Sequence, residues 1–163
     1  MVNLKKETYQ LLLFLISLSA LLFAFAVQYL LGYQPCNLCL IERIPYALAL
    51  IILLLNYKFK KDQNFYSVLL ILIFLFSLLI SIYHFGIEQG LIDETSICSQ
   101  NNTELLMNKE KILESLKKIT INCKDVSFRI FELSLTSYNI IISLIMILMS
   151  IQIYLLNQNE ARK

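Results

Sequence analysis

Charge is what this sequence has least of. Only 16% of its 163 residues are Asp, Glu, Lys or Arg, and the formal net charge is +2, whereas ordinary soluble domains carry about 25% charged residues. So small a net charge argues against a nucleic-acid binder, and a 58% hydrophobic content argues against a disordered chain. Three glycines form no glycine-rich phosphate loop. With two prolines besides, the composition is not that of a loop-rich disulfide miniprotein. No internal repeat is present, and histidine occurs once, at His84.

What is there instead is apolar length. Mean hydropathy is +0.66. No Asp, Glu, Lys or Arg occurs from Thr8 to Ile41, from Ile44 to Tyr57, from Gln63 to Ile87, or from Leu133 to Asn159. About 20 apolar residues cross a bilayer core as a helix. The pattern therefore predicts an all-α membrane protein, a single domain over 1–163 built as a four-transmembrane-helix bundle. The spans fall near Tyr9–Leu31, Leu38–Leu55, Ser67–Phe85 and Leu135–Leu156. The second is the weakest, because Glu42 and Arg43 sit inside its outer end.

A signal peptide competes for the first span, since Lys5 and Lys6 make a basic start and Ala24-Phe25-Ala26 resembles a cleavage site. The apolar run continues through Leu31, too long for a signal core of about 7–15 residues, so an uncleaved helix is expected.

Basic residues set the orientation. Lys5 and Lys6 precede the first span, Lys58, Lys60 and Lys61 follow the second, and Arg162 and Lys163 follow the fourth. Four spans put these segments on one side, which the positive-inside rule makes cytoplasmic. Both termini are then cytoplasmic, and two loops, near 32–38 and 86–134, lie on the other side.

All four cysteines fall in those outer loops: Cys36 and Cys39 in the first, Cys98 and Cys123 in the second. Disulfides persist in oxidising compartments such as the periplasm. Spacing suggests Cys36–Cys39 by adjacency and Cys98–Cys123 across 25 residues. Inert staples are one reading of both. For Cys36–Cys39 the closed loop is so short that the entropic gain is small, which favours redox chemistry. Pro35 suits a first helical turn, and a helix starting there places both sulfurs near its positive end, favouring thiolate. Arg43, four residues past Cys39, falls on the same face of a continuous helix and can steady a thiolate or a reduced carbonyl compound. An interfacial anchor is its bland alternative.

The stretch Gln34-Pro35-Cys36-Asn37-Leu38-Cys39-Leu40-Ile41-Glu42-Arg43 resembles the signature of the DsbB disulfide-bond-forming membrane proteins. Four spans and a second outer cysteine pair extend the likeness over nearly the whole chain. Phe128-Arg129-Ile130-Phe131-Glu132-Leu133-Ser134-Leu135-Thr136-Ser137-Tyr138-Asn139 is similar to the stretch leading into the family's last span, although Glu132 replaces a small residue, usually Gly.

The resemblance implies a protein of the bacterial inner membrane that reoxidises a periplasmic DsbA-type thiol oxidase and passes two electrons to membrane quinone, ubiquinone or menaquinone. It implies redox-active disulfides Cys36–Cys39 and Cys98–Cys123. Cys98 would form the mixed disulfide with the partner and Cys123 would resolve it. Cys36–Cys39 would reoxidise that pair, with Cys39 as the thiolate facing the quinone and Arg43 steadying the charge. The partner-facing pair is expected to be exposed and mobile, and the other to sit at the membrane edge. His84 matches a family histidine that would hydrogen-bond or relay protons to the quinone. Glu42 would accept a proton or pair with Arg43.

Within the larger loop, Asn101 and Glu104 resemble a helix start, and Leu105, Ile112, Leu113, Leu116 and Ile119 recur at helical spacing. An amphipathic surface helix is expected there. Three alternatives stand beside the enzyme. One is a four-cysteine zinc site, disfavoured by the wide separation of Cys98 and Cys123. The others are a vitamin-K-epoxide-reductase-like redox protein and a tetraspan protein with inert disulfides. No metal and no nucleic acid enter the favoured reading.

Overall fold

The computed structural model describes residues 2–58, 62–93, 98, 123–124, 129–130 and 133–162. Helix α1 runs Val2–Tyr29, α2 Asn37–Ile41, α3 Ile44–Lys58, α4 Gln63–Glu88 and α5 Leu135–Ala161. Four helical stretches are long and apolar enough to cross a membrane: Lys5–Tyr29, Asn37–Lys58, Gln63–Glu88 and Leu135–Glu160. The chain is an all-α four-helix membrane bundle, as its charge-free runs predict. Most helix ends extend a few residues past the expected spans, because an apolar window marks the bilayer and not the last helical hydrogen bond.

The second span departs from expectation. It is two helices, α2 and α3, with a turn at Glu42 and Arg43 between them. Pro45 explains the break, since it has no N–H to offer the Ile41 carbonyl but fits the first turn of α3. Arg43 therefore does not continue the helical face of Cys39.

Local signals set the other ends. At the end of α4, Gly90 takes φ +70°, Leu91 N–H donates to the Gly86 carbonyl at 2.9 Å, and Gly90 N–H donates to that of Ile87 at 3.0 Å. This is a Schellman closure, which favours glycine at the left-handed position. Two short antiparallel strands, β1 (Arg129–Ile130) and β2 (Leu133–Ser134), lead into α5. Ser134 caps that helix, its hydroxyl accepting from Ser137 N–H at 3.3 Å.

Helices α4 and α5 form the tightest pair, with α1 packed on α3 and α5, and α3 on α4. The core is Leu13, Tyr46, Ala49, Leu70, Phe74 and Met146. In a bilayer the helices gain little from leaving lipid, so close packing and interhelical hydrogen bonds matter more. Ser77 and Ser143 hydroxyls meet at 3.0 Å, and Asn157 donates to Ser67 at 3.0 Å, both between α4 and α5. Large side chains such as Leu22, Ile51, Leu72 and Leu148 point outward, where lipid tails would lie.

At the end remote from the cysteines, Lys6 is 4% exposed and donates to Gln63 and, at 3.1 Å, to Glu160. The sequence marks Lys6 only as an orientation charge; here it ties α1 to α4 and α5. The expected surface helix between Asn101 and Ile119, the Glu132 position, and Lys60 and Lys61 lie outside the described residues.

Candidate functional site

The start of α2 builds the first part of the site. Cys36 is its N-cap, with φ −70° and ψ 169°, and its sulfur accepts from Cys39 N–H at 3.2 Å. Pro35 thus stands before the cap and not in the first turn, a two-residue shift from the expected start. Both sulfurs still face the positive end of the helix, although five residues make a weak dipole. Cys36 and Cys39 are free thiols with Sγ atoms 2.6 Å apart. The Cys39 hydrogen bond holds the Cys36 thiol at about 5, against an ordinary value of 9.0; burial opposes this and the His84 hydrogen bond assists it.

His84 comes from the outer end of α4 and is 1% exposed. Its Nε2 lies 3.5 Å from Cys36 Sγ. Its Nδ1 lies 3.0 Å from Glu42 Oε1 and 3.3 Å from Thr136 Oγ1. Thr136 in turn donates to Glu88 Oε1 at 2.6 Å, and that oxygen is 3.9 Å from His84 Nε2. Since the threonine proton goes to Glu88, the arrangement calls for an Nδ1–H shared between Glu42 and Thr136. Nε2 is then free to face the sulfur, as base or as donor. Glu42 is buried against His84 and not paired with Arg43, which separates the two uses the sequence leaves open.

Arg43 points the other way. It donates to Gln28 Oε1 and to the Ala24 carbonyl at 3.4 Å, and its guanidinium sits 5.3 Å from the Phe25 ring centre. No carboxylate pairs with it among the described residues.

A cavity of about 310 Å³ joins these groups. Ala20, Ala24 and Val27 of α1 give it an apolar wall, and Cys39, Arg43 and His84 line its polar end. On the far side Tyr46 donates to Asn139, which donates to Ser81 at 2.7 Å. Pockets of about 300–1,000 Å³ with few convergent polar groups suit small ligands.

The second cysteine pair stacks on the first. Cys98 and Cys123 form a disulfide with Cα atoms 5.5 Å apart. They share one buried cluster with Cys36, Leu38 and Ile87, against which Cys39 packs. This corrects the expectation of an exposed pair: Cys98 is 5% exposed and Cys123 3%. Disulfide sulfur is apolar enough to settle on the floor that Leu38 and Ile87 provide.

The structure thus brings Cys36, Cys39, Glu42, His84, Cys98 and Cys123 to one end of the bundle, with Arg43 lining the same cavity. Sequence reasoning missed Glu88, Thr136 and Gln28. Glu88 carried a usable signal, being one turn beyond His84 on the same helix face. Gln28 carried none and Thr136 only its place in the stretch that resembles the family, because their roles depend on how α1 and α5 pack.

Four membrane-length helices with two cysteine pairs stacked at one end define a multi-pass membrane protein of paired cysteines. The family model for the disulfide bond formation protein DsbB matches residues 6–153, and the chain belongs to that family. It is also 40% identical, over 99 residues, to an uncharacterized protein of Rickettsia prowazekii (strain Madrid E); the match covers 58% of this chain and 57% of that protein. No solved structure matches it significantly.

Proposed function

We propose that this protein is a membrane thiol oxidase that draws two electrons from a periplasmic DsbA-type dithiol protein and delivers them to membrane quinone. One observation carries this reading: the Cys36–Cys39 pair lines the cavity while Cys36 shares a buried cluster with the Cys98–Cys123 disulfide. Both termini face the cytoplasm, and both cysteine pairs face the periplasm of the bacterial inner membrane.

Each exchange moves two electrons and two protons. A partner thiolate attacks Cys98, breaking the Cys98–Cys123 bond, and the partner's second thiol then displaces Cys98, leaving a partner disulfide and two thiols here. A brake on this is the burial of Cys98, so its sulfur must be uncovered first. Cys123 then attacks the oxidised first pair at Cys36, releasing Cys39 as thiolate, and Cys98 completes the exchange.

A quinone held between the apolar wall and Arg43 would supply the electron sink, a two-electron, two-proton acceptor. The residues fit such a molecule, with an apolar wall, the Arg43 guanidinium and polar groups at one end. His84 Nε2 takes the proton of the Cys36 thiol, and Glu42 holds the imidazole in the orientation and charge state this requires. Arg43, which pairs with no carboxylate among the described residues, places positive charge where anionic character develops.

The test is purified protein with reduced DsbA-type partner, following partner thiols and quinone absorbance together, with ubiquinone and menaquinone assayed separately. Equal loss of partner dithiol and of quinone supports the proposal. Partner oxidation that proceeds unchanged without quinone overturns it.

A further inference from the structure

We propose that the reduced Cys36–Cys39 pair, with His84, forms a binding site for one zinc ion, and that the ion holds the pair reduced. The donor atoms of Cys36, Cys39 and His84 all lie within 4.8 Å of one another, and the three residues are buried or half-buried. Tetrahedral zinc with Zn–S of about 2.3 Å and Zn–N of about 2.0–2.1 Å needs an S···N edge of about 3.5 Å. The Cys36 Sγ to His84 Nε2 distance is 3.5 Å. The two sulfurs, now 2.6 Å apart, must open by about 1 Å to span the S···S edge, within reach of a small side-chain rotation.

A second, independent feature points the same way. Zinc-bound histidines commonly donate their other ring N–H to a carboxylate, which fixes the tautomer. Glu42 Oε1 stands 3.0 Å from His84 Nδ1, leaving Nε2 toward the sulfurs. Two thiolates and a neutral imidazole also balance the charge of the ion, which suits a site with little water. Binding breaks the S–H bond left in the pair, forms two Zn–S bonds and one Zn–N bond, and releases two protons, that of Cys39 and the one Cys36 has passed to His84. The fourth position opens into the cavity. Oxidation of the pair removes both thiolates, so the site exists in one redox state only.

This proposal uses the cysteine pair of the functional reading but not its redox role, so the titration contains neither partner nor quinone. The probes are zinc chloride and cobalt chloride, added to the full chain in detergent after phosphine reduction, in a Cys98→Ala/Cys123→Ala background that removes the other thiols. One zinc per chain is expected, with thiolate-to-cobalt charge-transfer absorption in the near ultraviolet. The oxidised form should show neither. His84→Ala should weaken zinc binding at least tenfold, and Glu42→Gln by about 10–100-fold, as second-layer partners do. Equal zinc uptake by the oxidised form, absence of the charge-transfer band, or unchanged affinity in His84→Ala overturns the proposal. Loss of binding on chemical oxidation, regained on reduction, separates site loss from misfolding of a variant.

Discussion

Glu42 Oε1 lies 3.0 Å from His84 Nδ1, a buried contact that joins the turn between α2 and α3 to the outer end of α4. It aims the other ring nitrogen at Cys36. An ionisable pair inside a membrane bundle is costly unless each member has a partner. These two satisfy each other at the sulfur the proposed chemistry uses.

The first prediction follows from that contact. His84→Gln should slow turnover by about 10²-fold or more, the usual scale for losing a general acid–base group. Glu42→Gln should slow it less, since the ring keeps Thr136 as a second partner at 3.3 Å. Steady-state quinone reduction at saturating partner checks both. Equal rates in His84→Gln and wild type would remove the histidine from the mechanism.

The second prediction is a pH profile. Cys36 in the reduced pair is held at about 5 against an ordinary 9.0, chiefly by the Cys39 thiol. A lowered thiol value means thiolate is present above it. Alkylation of Cys36 by a small reagent should therefore rise through about pH 5 and be flat by neutrality. In Cys39→Ala the midpoint should move upward, because the largest stabilising hydrogen bond is gone. Mass mapping of alkylated Cys36 after short pulses reads the profile.

Much of this was legible in the chain. Charge-free runs mark the four spans because an ionised side chain in lipid is costly wherever it lies, so the signal is local. The Cys36-to-Arg43 stretch marks the site for a similar reason, since its chemistry is concentrated in eight consecutive positions. The break before Pro45 is readable too, although hydropathy alone runs as one continuous span across Glu42 and Arg43. What pairs with Glu42, why Lys6 is buried, and where the Cys98–Cys123 disulfide rests were not legible. Each depends on contacts between helices far apart in sequence.

The third prediction separates charge from anchoring at Arg43. Arg43→Met should raise the quinone concentration needed for half-maximal rate and slow turnover, leaving exchange between partner and Cys98–Cys123 nearly intact. Arg43→Lys should keep part of the activity, since it retains the charge without the planar fork. Gln28→Leu breaks the same tie to α1 while leaving the charge, and should shift quinone dependence less than Arg43→Met. Turnover measured against quinone concentration in the three variants gives the ranking. A Gln28→Leu effect as large as that of Arg43→Met would reduce Arg43 to an anchor.

The fourth prediction concerns the second pair. With oxidised partner supplied, Cys123→Ser should trap a long-lived mixed disulfide, because the lone Cys98 thiolate opens the partner's disulfide and no Cys123 thiol follows to displace the partner. Cys98→Ser should abolish exchange with the partner while Cys36–Cys39 can still oxidise. Non-reducing gels with mass identification of the joined cysteines distinguish the two. Trapping at Cys36 instead would reverse the assigned order.

The central claim is the direction of flow, from Cys98–Cys123 through Cys36–Cys39 to quinone. Its most direct test mixes fully reduced protein with one equivalent of quinone, quenches with alkylating reagent at successive times, and maps disulfides by mass. The account predicts that the Cys36–Cys39 disulfide appears first and the Cys98–Cys123 disulfide later, at the expense of the first. In Cys36→Ala/Cys39→Ala, no Cys98–Cys123 disulfide should form on that timescale. A Cys98–Cys123 disulfide that forms as fast in that variant as in wild type would contradict it.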